Sequence, residues 1–565
     1  MRVLNPIPLV IVLMALGAAG TSYAVDIGPD DRQISFTGPA GSTATDAVSP
    51  AIAYDNLNQR YLAVWSADES DGDFLIHGQL LSGAAGAAVG GAFVVGPAGL
   101  PDTDHRQPAV AFDDVHQHYL VVWSSDALSP GAYEILGQAV GVDGQLVGPT
   151  RRYSDMGTND ADTAFDAVTP DVAWHAGLNA FVVVWAGDDD AGDLSDGRFE
   201  LYGQLVAGAT DTEFGANDFR ISFAGPDAAG NDATNPAVAV IPDPLRWYVA
   251  FEGDITDDDV HDTEVWMYGG SVDVPDGAAT QLSLMGGGYN DGFSARNPDL
   301  AWAPSSGELI CVWDGDNGGG APRAIYGQRV LLDGTLSGGM LFLSDLAPPT
   351  TGILREAIEP AIAVNPQTDA WFVTWRGDLD DTIIKYDHEI WACRYDDIGA
   401  PIDAFSFSLS GMDPSLGPIA GAGAPAVAIN ATHGYKLVVW SGDLDTPPGG
   451  EHEIFAQAWA DDGATAVDDT PAAAAFRLHQ AVPNPFNPST KLSFEMAAPG
   501  RAHLDVYDAA GRLVATLVDG HRDAGRHDVT WDGWDSAGRP APAGVYLYRL
   551  RAEGVDTSRR MMLVK

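Results

Sequence analysis

Short apolar runs of four to six residues recur along the first 460 residues, each closed by Gly, Asp, Ser or Pro. Pro108-Ala-Val-Ala-Phe112 leads through an Asp113-Asp114 turn to Tyr119-Leu-Val-Val-Trp123. An acidic loop, Tyr133-Glu-Ile-Leu-Gly-Gln138 and a fourth segment near Gln145-Leu-Val147 complete the set. Runs of this length, rich in β-branched and aromatic side chains, predict strands. The second run is apolar throughout instead of alternating, which predicts a strand buried on both faces.

The set comes round seven times. Its frame is fixed by Pro50, Pro108, Pro170, Pro236, Pro298, Pro360 and Pro425, each followed three residues later by an alanine. Fifteen residues after each proline stands Trp65, Trp123, Trp185, Phe251, Trp313, Trp375 or Trp440. Three residues further stands Asp68, Asp126, Asp188, Asp254, Asp316, Asp378 or Asp443. A period of some sixty residues built from short strands points to a radially repeated architecture. The expected fold is all-β: a seven-bladed β-propeller followed by a small C-terminal Ig-like β-sandwich.

Position within a blade follows from residue type. The first run carries the smallest residues and suits the crowded strand at the axis, its proline standing as first residue where a missing N–H costs little. The tryptophan is expected to pack between blades with its indole N–H bonded. The Gln of Gly78-Gln79, Gly137-Gln138, Gly203-Gln204, Gly327-Gln328 and Ala456-Gln457 reads as a bonded polar group on the third strand. The seventh repeat has no good fourth strand. Asp31-Arg-Gln-Ile-Ser-Phe-Thr-Gly38, however, resembles Asp218-Phe-Arg-Ile-Ser-Phe-Ala-Gly225 at the end of repeat three. Residues 31–37 are therefore expected to supply the outer strand of the last blade and protect the seam.

The predicted organisation is a signal peptide at 1–24, the propeller at 25–460, a linker at 461–475 and the sandwich at 476–565. Met1-Arg2, the apolar stretch Ile7–Leu16 and Ser22-Tyr23-Ala24 have the pattern of a secretory signal cleaved after Ala24. No later segment reaches about 18 apolar residues, so no membrane span is expected in the mature chain. Two cysteines, Cys311 and Cys393, are too few for a disulfide framework and read as buried thiols.

Charge separates the two parts. The chain carries −50 overall; residues 472–565 hold 12 Lys+Arg against 10 Asp+Glu, which leaves 17 against 69 before them. Such an acidic surface excludes nucleic-acid backbone binding, which needs a basic face. It suits solubility outside a cell and cation binding.

The C-terminal part carries a recognisable series. Pro483-Asn-Pro-Phe-Asn-Pro-Ser-Thr490 and Val506-Tyr-Asp-Ala-Ala-Gly-Arg512 come first. Ala524-Gly-Arg-His527, Trp531-Asp-Gly533, Gly544-Val-Tyr-Leu-Tyr-Arg549 and Arg559-Arg-Met-Met-Leu-Val-Lys565 follow. The series resembles the C-terminal sorting domain of type IX secretion substrates, and is similar to the Ig-like domain of flagellar hook-capping proteins. The resemblance implies export across both membranes, with type IX-like secretion machinery as partner and the cell exterior or outer-membrane surface as destination. The first 460 residues resemble a secreted bacterial seven-bladed propeller in general character only. The sialidase, WD40 and kelch boxes are absent, as are Gly-x-Ser-x-Gly and His-Glu-x-x-His.

The seven aspartates close the second strands and face one mouth of the ring. Each can cap its own turn by accepting backbone N–H bonds. Their loops also hold dense carboxylates, as in Asp188-Asp-Asp-Ala-Gly-Asp193, which makes Asp68, Asp126, Asp188, Asp254, Asp316, Asp378 and Asp443 candidate Ca²⁺ ligands. A catalytic carboxylate pair is the third use of such a mouth, but it requires blades that depart from the common pattern. The visible departures are mild: Phe251 for Trp, and Gly269-Gly270 or Ala392-Cys393 for Gly-Gln. The expectation is accordingly a monomeric, non-catalytic binding or adhesion module for an extracellular glycan or protein ligand. No catalytic residue is assigned. The alternative is a carbohydrate-active hydrolase or lyase using carboxylates at the acidic mouth.

Overall fold

In a computed structural model, the described residues are 25–36, 46–478 and 486–564, apart from the segments named here. These are 69–72, 84, 97–102, 157–164, 189–197, 224–231, 256–262, 286–293, 317–321, 345–355, 379–387, 404–405, 411–420, 431–432, 444–451, 461–476, 487, 497–499, 509–511, 523–524, 537 and 553–554. The signal segment 1–24, the linker 461–475 and most acidic loops after the second strands lie outside the described residues.

The described residues form strands and turns without helices, and they divide into two units, Met1–Val467 and Asp468–Lys565. The first unit is a seven-bladed β-propeller, each blade an antiparallel sheet, in simple sequence order in blades 1 to 6 and completed by the N-terminal strand in blade 7. In blade 1 the strands run Ala47–Asp55, Arg60–Asp68, Phe74–Ser82 and Ala88–Val95 from the axis outward. The inner strands of blades 2 to 7 are His105–Asp113, Ala167–His175, Ala233–Ile241, Ala295–Ala303, Glu356–Val364 and Ala426–Asn430. Each lies beside the next around the ring, and the seventh lies beside the first.

Burial on both faces of the second strand has a direct cause. Leu62 and Val64 join Tyr119, Val121 and Trp123 in the core between blades 1 and 2. Tyr61, Ala63 and Trp65 point the other way and pack on Leu437 and Val439 of blade 7. Every blade repeats this division, so the apolar run is two alternating strand faces, each pressed against a neighbouring blade. The tryptophans differ from expectation in one respect. Trp123 donates its indole N–H to His105 Nδ1 at 2.9 Å, but those of Trp65, Trp185, Trp313, Trp375 and Trp440 find no acceptor among the described residues. Packing of the ring outweighs the lost bond there.

The outer strand of blade 7 is the N-terminal segment Val25–Gln33, antiparallel to Glu453–Ala460. The Ile34 amide donates to Ile454 O at 2.8 Å, and the Ile34 side chain is buried in the core between blades 7 and 1. A polar latch marks the join. Ser35 Oγ donates to Glu453 and accepts from the Ile454 amide at 2.7 Å. The same latch recurs as Ser154 with Glu134, Ser222 with Glu200, Ser283 with Glu264 and Ser410 with Glu389. The recurring third-strand glutamates thus have a structural duty. The recurring glutamines do too: Gln138 Nε2 donates to Ala139 O at 3.0 Å and to Val147 O at 2.9 Å, tying third strand to fourth.

The second unit is a small sandwich. Arg477–Leu478, Thr490–Met496 and Gly525–Trp531 form one sheet; Leu513–Arg522, Gly500–Asp508, Gly544–Ala552 and Val555–Leu563 form the other. Leu492, Phe494, Leu504, Val506, Trp531, Tyr548 and Leu550 are among its core. Cys311 and Cys393 are free and buried.

Candidate functional site

In blades 1 to 6 the proline of the repeat is not the first residue of its strand but sits at a β-bulge within the inner strand, where the register slips. In blade 7 Pro425 immediately precedes the inner strand Ala426–Asn430. In blades 1 to 6 the residue before the proline is held in the left-handed region: Ser49, Gln107, Thr169, Asn235, Asn297 and Glu359 all have φ between 49° and 54°. Non-glycine residues avoid this conformation, a β-branched Thr most of all. The bulge turns these side chains toward the axis. With the prolines and the residues after them they line an axial cavity of about 420 Å³.

Seven-fold symmetry is broken inside this cavity. The residue after the proline is alanine in blades 1, 2, 4, 6 and 7, but Asp171 in blade 3 and Asp299 in blade 5. Asp171 accepts from the Val172 amide at 2.8 Å and from the Val238 amide of blade 4 at 2.7 Å. Asp299 likewise accepts from Leu300 at 2.8 Å and from Ile362 of blade 6 at 2.7 Å. Burial deep in the channel pushes Asp171 up to about 7, its backbone donors opposing this and the Asp299 charge adding to it. Burial raises Asp299 as well. Two carboxylates in one confined space cannot both ionise cheaply.

A second break lies one residue after the conserved aromatic. Blades 1, 2, 3 and 7 have Ser66, Ser124, Ala186 and Ser441, whereas blades 4, 5 and 6 have Glu252, Asp314 and Arg376. These three build a chain of bonds across the mouth. Glu252 accepts from Asn235 Nδ2 at 2.9 Å and from the Asn297 amide at 2.7 Å. Asp314 accepts from Asn297 Nδ2 at 2.8 Å and from the Glu359 amide at 3.0 Å, and pairs with Arg323. Arg376 holds Glu359, Nε to Oε2 at 3.1 Å. Burial pushes Asp314 up to about 6 against the pull of Arg323. Glu252 and Asp314 thus fasten the strained residues of the next blade, and Glu359 is presented at the mouth in an ion pair.

The rim changes character in step. Phe74 and Phe199 pair with Asp68 and Asp188 at the start of the third strand in blades 1 and 3; the corresponding position is Tyr133 in blade 2 but Arg323, His388 and His452 in blades 5 to 7. On the aromatic side lies a groove of about 540 Å³ lined by Val48, Ser49, Ser66, Phe74, Arg106, Gln107, Ser124, Tyr133, Val168 and Thr169. It shares Ser49, Gln107 and Thr169 with the axial cavity, so the two adjoin.

The seven aspartates themselves do not converge. They stand one per blade around the mouth, and Asp126 shows their local use: it accepts from the Asp104 amide at 2.7 Å and from Gly131 at 3.1 Å. Among the described residues no group of three or more His, Cys, Asp or Glu is arranged to hold a metal ion. The sequence reading missed Asp171, Asp299, Glu252, Asp314 and Glu359. Aligning the repeats one residue beyond proline and one beyond tryptophan exposes all but Glu359, which needs the bulge geometry.

Residues 481–556 match the FlgD Ig-like domain family. No curated protein sequence matches the chain. Among solved structures, the chain is similar to a Penicillium chrysogenum α-L-arabinanase complexed with arabinobiose, at 11 % identity over 64 % of this chain and 95 % of that one, TM-score 0.38. It is similar to the family GH93 α-L-arabinofuranosidase of Fusarium graminearum, at 12 % identity over 78 % and 98 %, TM-score 0.38. An α-L-arabinofuranosidase from Lactobacillus brevis is similar at 12 % identity over 53 % and 94 %, TM-score 0.31. These neighbours are glycoside hydrolases, which agrees with the alternative of a carbohydrate-active hydrolase and not with the expected non-catalytic binding or adhesion module. The expectation also rested on blades that looked too alike for catalysis, and the carboxylates on blades 3 to 6 remove that premise. Likeness at these scores names no substrate for this chain.

Proposed function

We propose that the propeller is a carbohydrate-active hydrolase working at the mouth that Asp171, Asp299 and Glu359 share. The observation that carries this reading is the axial cavity itself, where carboxylates stand on three of seven otherwise equivalent inner strands. Glycosidic hydrolysis needs one carboxyl group that holds a proton near neutral pH and a second that acts as base or nucleophile. Asp171, raised to about 7 by burial and by Asp299, suits the first role. Glu359, in its ion pair with Arg376, suits the second. Asp314 is a positioning residue, since it grips the Glu359 amide. The adjoining aromatic groove suits sugar rings, whose apolar faces stack on Phe and Tyr.

The test is release of reducing ends from a panel of neutral and acidic polysaccharides by the mature chain. Glu359→Gln should lower turnover by roughly 10²-fold or more, the scale of a positioned acid or base, with an unchanged circular dichroism spectrum. Full activity in that variant, or no product from any polysaccharide, would remove the proposal.

We further propose that the C-terminal unit, whose Ig-like character is given by the family match, exports the propeller by a type IX-like route to the cell exterior. Deleting residues 468–565 should then retain the propeller inside the producing cell; unchanged export would exclude the role. Ca²⁺ at the loops bearing Asp68, Asp126, Asp188, Asp254, Asp316, Asp378 and Asp443 is a separate proposal. Chelation should lower the melting temperature and added Ca²⁺ restore it, while an unchanged melt withdraws the ion.

A further inference from the structure

Among the ten described residues that line the groove beside the axial cavity, only Arg106 carries a formal charge; the others are aliphatic, aromatic, hydroxyl or amide side chains. This is unusual ground for a cation, because residues 1–471 hold 17 basic residues against 69 acidic ones. Arg106 is also a departure from the repeat. The residue two before the proline is Val48, Val168, Thr234, Ile358 and Gly423 in blades 1, 3, 4, 6 and 7, and only blade 5 repeats the cation, as Arg296.

The guanidinium is held from behind. Asp104 pairs with Arg106 Nη2, and its other contact is the Tyr133 hydroxyl, which donates to Asp104 Oδ2 at 3.0 Å. Asp104 is itself fastened, since its amide donates to Asp126 Oδ1 at 2.7 Å. The Asp104 side chain is 14 % exposed and the Arg106 side chain 57 %. One carboxylate therefore orients both the cation and the aromatic ring while staying out of the groove. Arg106 lies 5.8 Å from the Tyr133 ring centroid, so charge and ring face form one platform. The phenol remains a neutral donor, because burial and the Asp104 charge push it up to about 12.

We propose that this groove is a subsite for a sugar ring bearing a carboxylate, a uronic acid, with Arg106 pairing the carboxylate and Phe74 and Tyr133 flanking the ring. The inference rests on the hydrolase reading for its link to turnover and specifies the substrate class at that site. A planar guanidinium with donors to spare matches a carboxylate in two-point geometry. The −50 charge of the molecule repels an anion at long range. At physiological salt that repulsion is screened beyond about 8 Å, whereas a direct guanidinium contact is not.

The test uses the mature chain with trigalacturonic acid and its methyl ester, which keeps the ring shape and removes the charge. Titration calorimetry should show the acid binding about tenfold or more tighter than the ester, the range of one charge-assisted bond. Arg106→Gln should abolish that preference and Arg106→Lys restore part of it. Arg106 is exposed, so folding of the variants is checked simply by an unchanged melt. Equal binding of acid and ester by the wild type, or a preference that survives Arg106→Gln, would overturn the subsite. The two proposals separate cleanly: product from neutral polysaccharide without an acid preference refutes the uronate subsite alone. An acid preference without product from any polysaccharide refutes the hydrolase alone.

Discussion

Individual carboxylates decide both the chemistry and the pH response. Burial raises Glu134 and Asp171 to about 7 and Asp314 to about 6, whereas such groups titrate near 4 in an unfolded chain. Between about pH 4 and 7 the folded protein holds protons that the unfolded chain has released, so stability falls as pH rises through that window. The melting temperature should be higher at pH 5 than at pH 8, and Glu134→Gln should flatten part of the slope. A melt that rises from pH 5 to pH 8 would contradict the burial of these groups. The strained residues before the prolines were invisible in the sequence for a plain reason. Ser49, Gln107, Thr169, Asn235, Asn297 and Glu359 share no side-chain type, only a backbone conformation, and periodicity reports side-chain type. Glu359 therefore gave no signal in the repeat pattern.

Strands and blades were legible, since a strand buried on both faces leaves an unbroken apolar run and a crowded axis selects alanine. The proline was misplaced because a bulge and a strand start both tolerate a missing N–H; only register tells them apart. The indole N–H groups show the limit of a rule about single groups, because ring packing between blades fixes Trp65 and Trp185 whether or not an acceptor is near. The seam between the first and last blades rests on few residues. Ile34→Ala removes a buried side chain from the core between blades 7 and 1 and should cost roughly 2–5 kcal/mol, measured by denaturant titration. Ser35→Ala should act through the same join by leaving Glu453 without its hydroxyl donor. A neutral Ile34→Ala would mean that the ring holds without its N-terminal strand.

At the scale of the molecule, seven nearly equal blades form a rigid frame and function enters where they differ. The sequence shows the frame loudly, as seven prolines, seven aspartates and six tryptophans. It shows the differences faintly, as one or two residues in some sixty on blades 3 to 6. Regularity drew the expectation toward a binding module, and the axial placement of Asp171, Asp299 and Glu359 turns it toward hydrolysis. The most direct measurement is a crystal structure of the Glu359→Gln variant with an oligosaccharide that the wild-type chain cleaves. The sugar should lie across the mouth, one ring between Phe74 and Tyr133 and the scissile bond between Asp171 and position 359. Density for the sugar on the opposite face, or at the outer edge of a blade, would contradict the account.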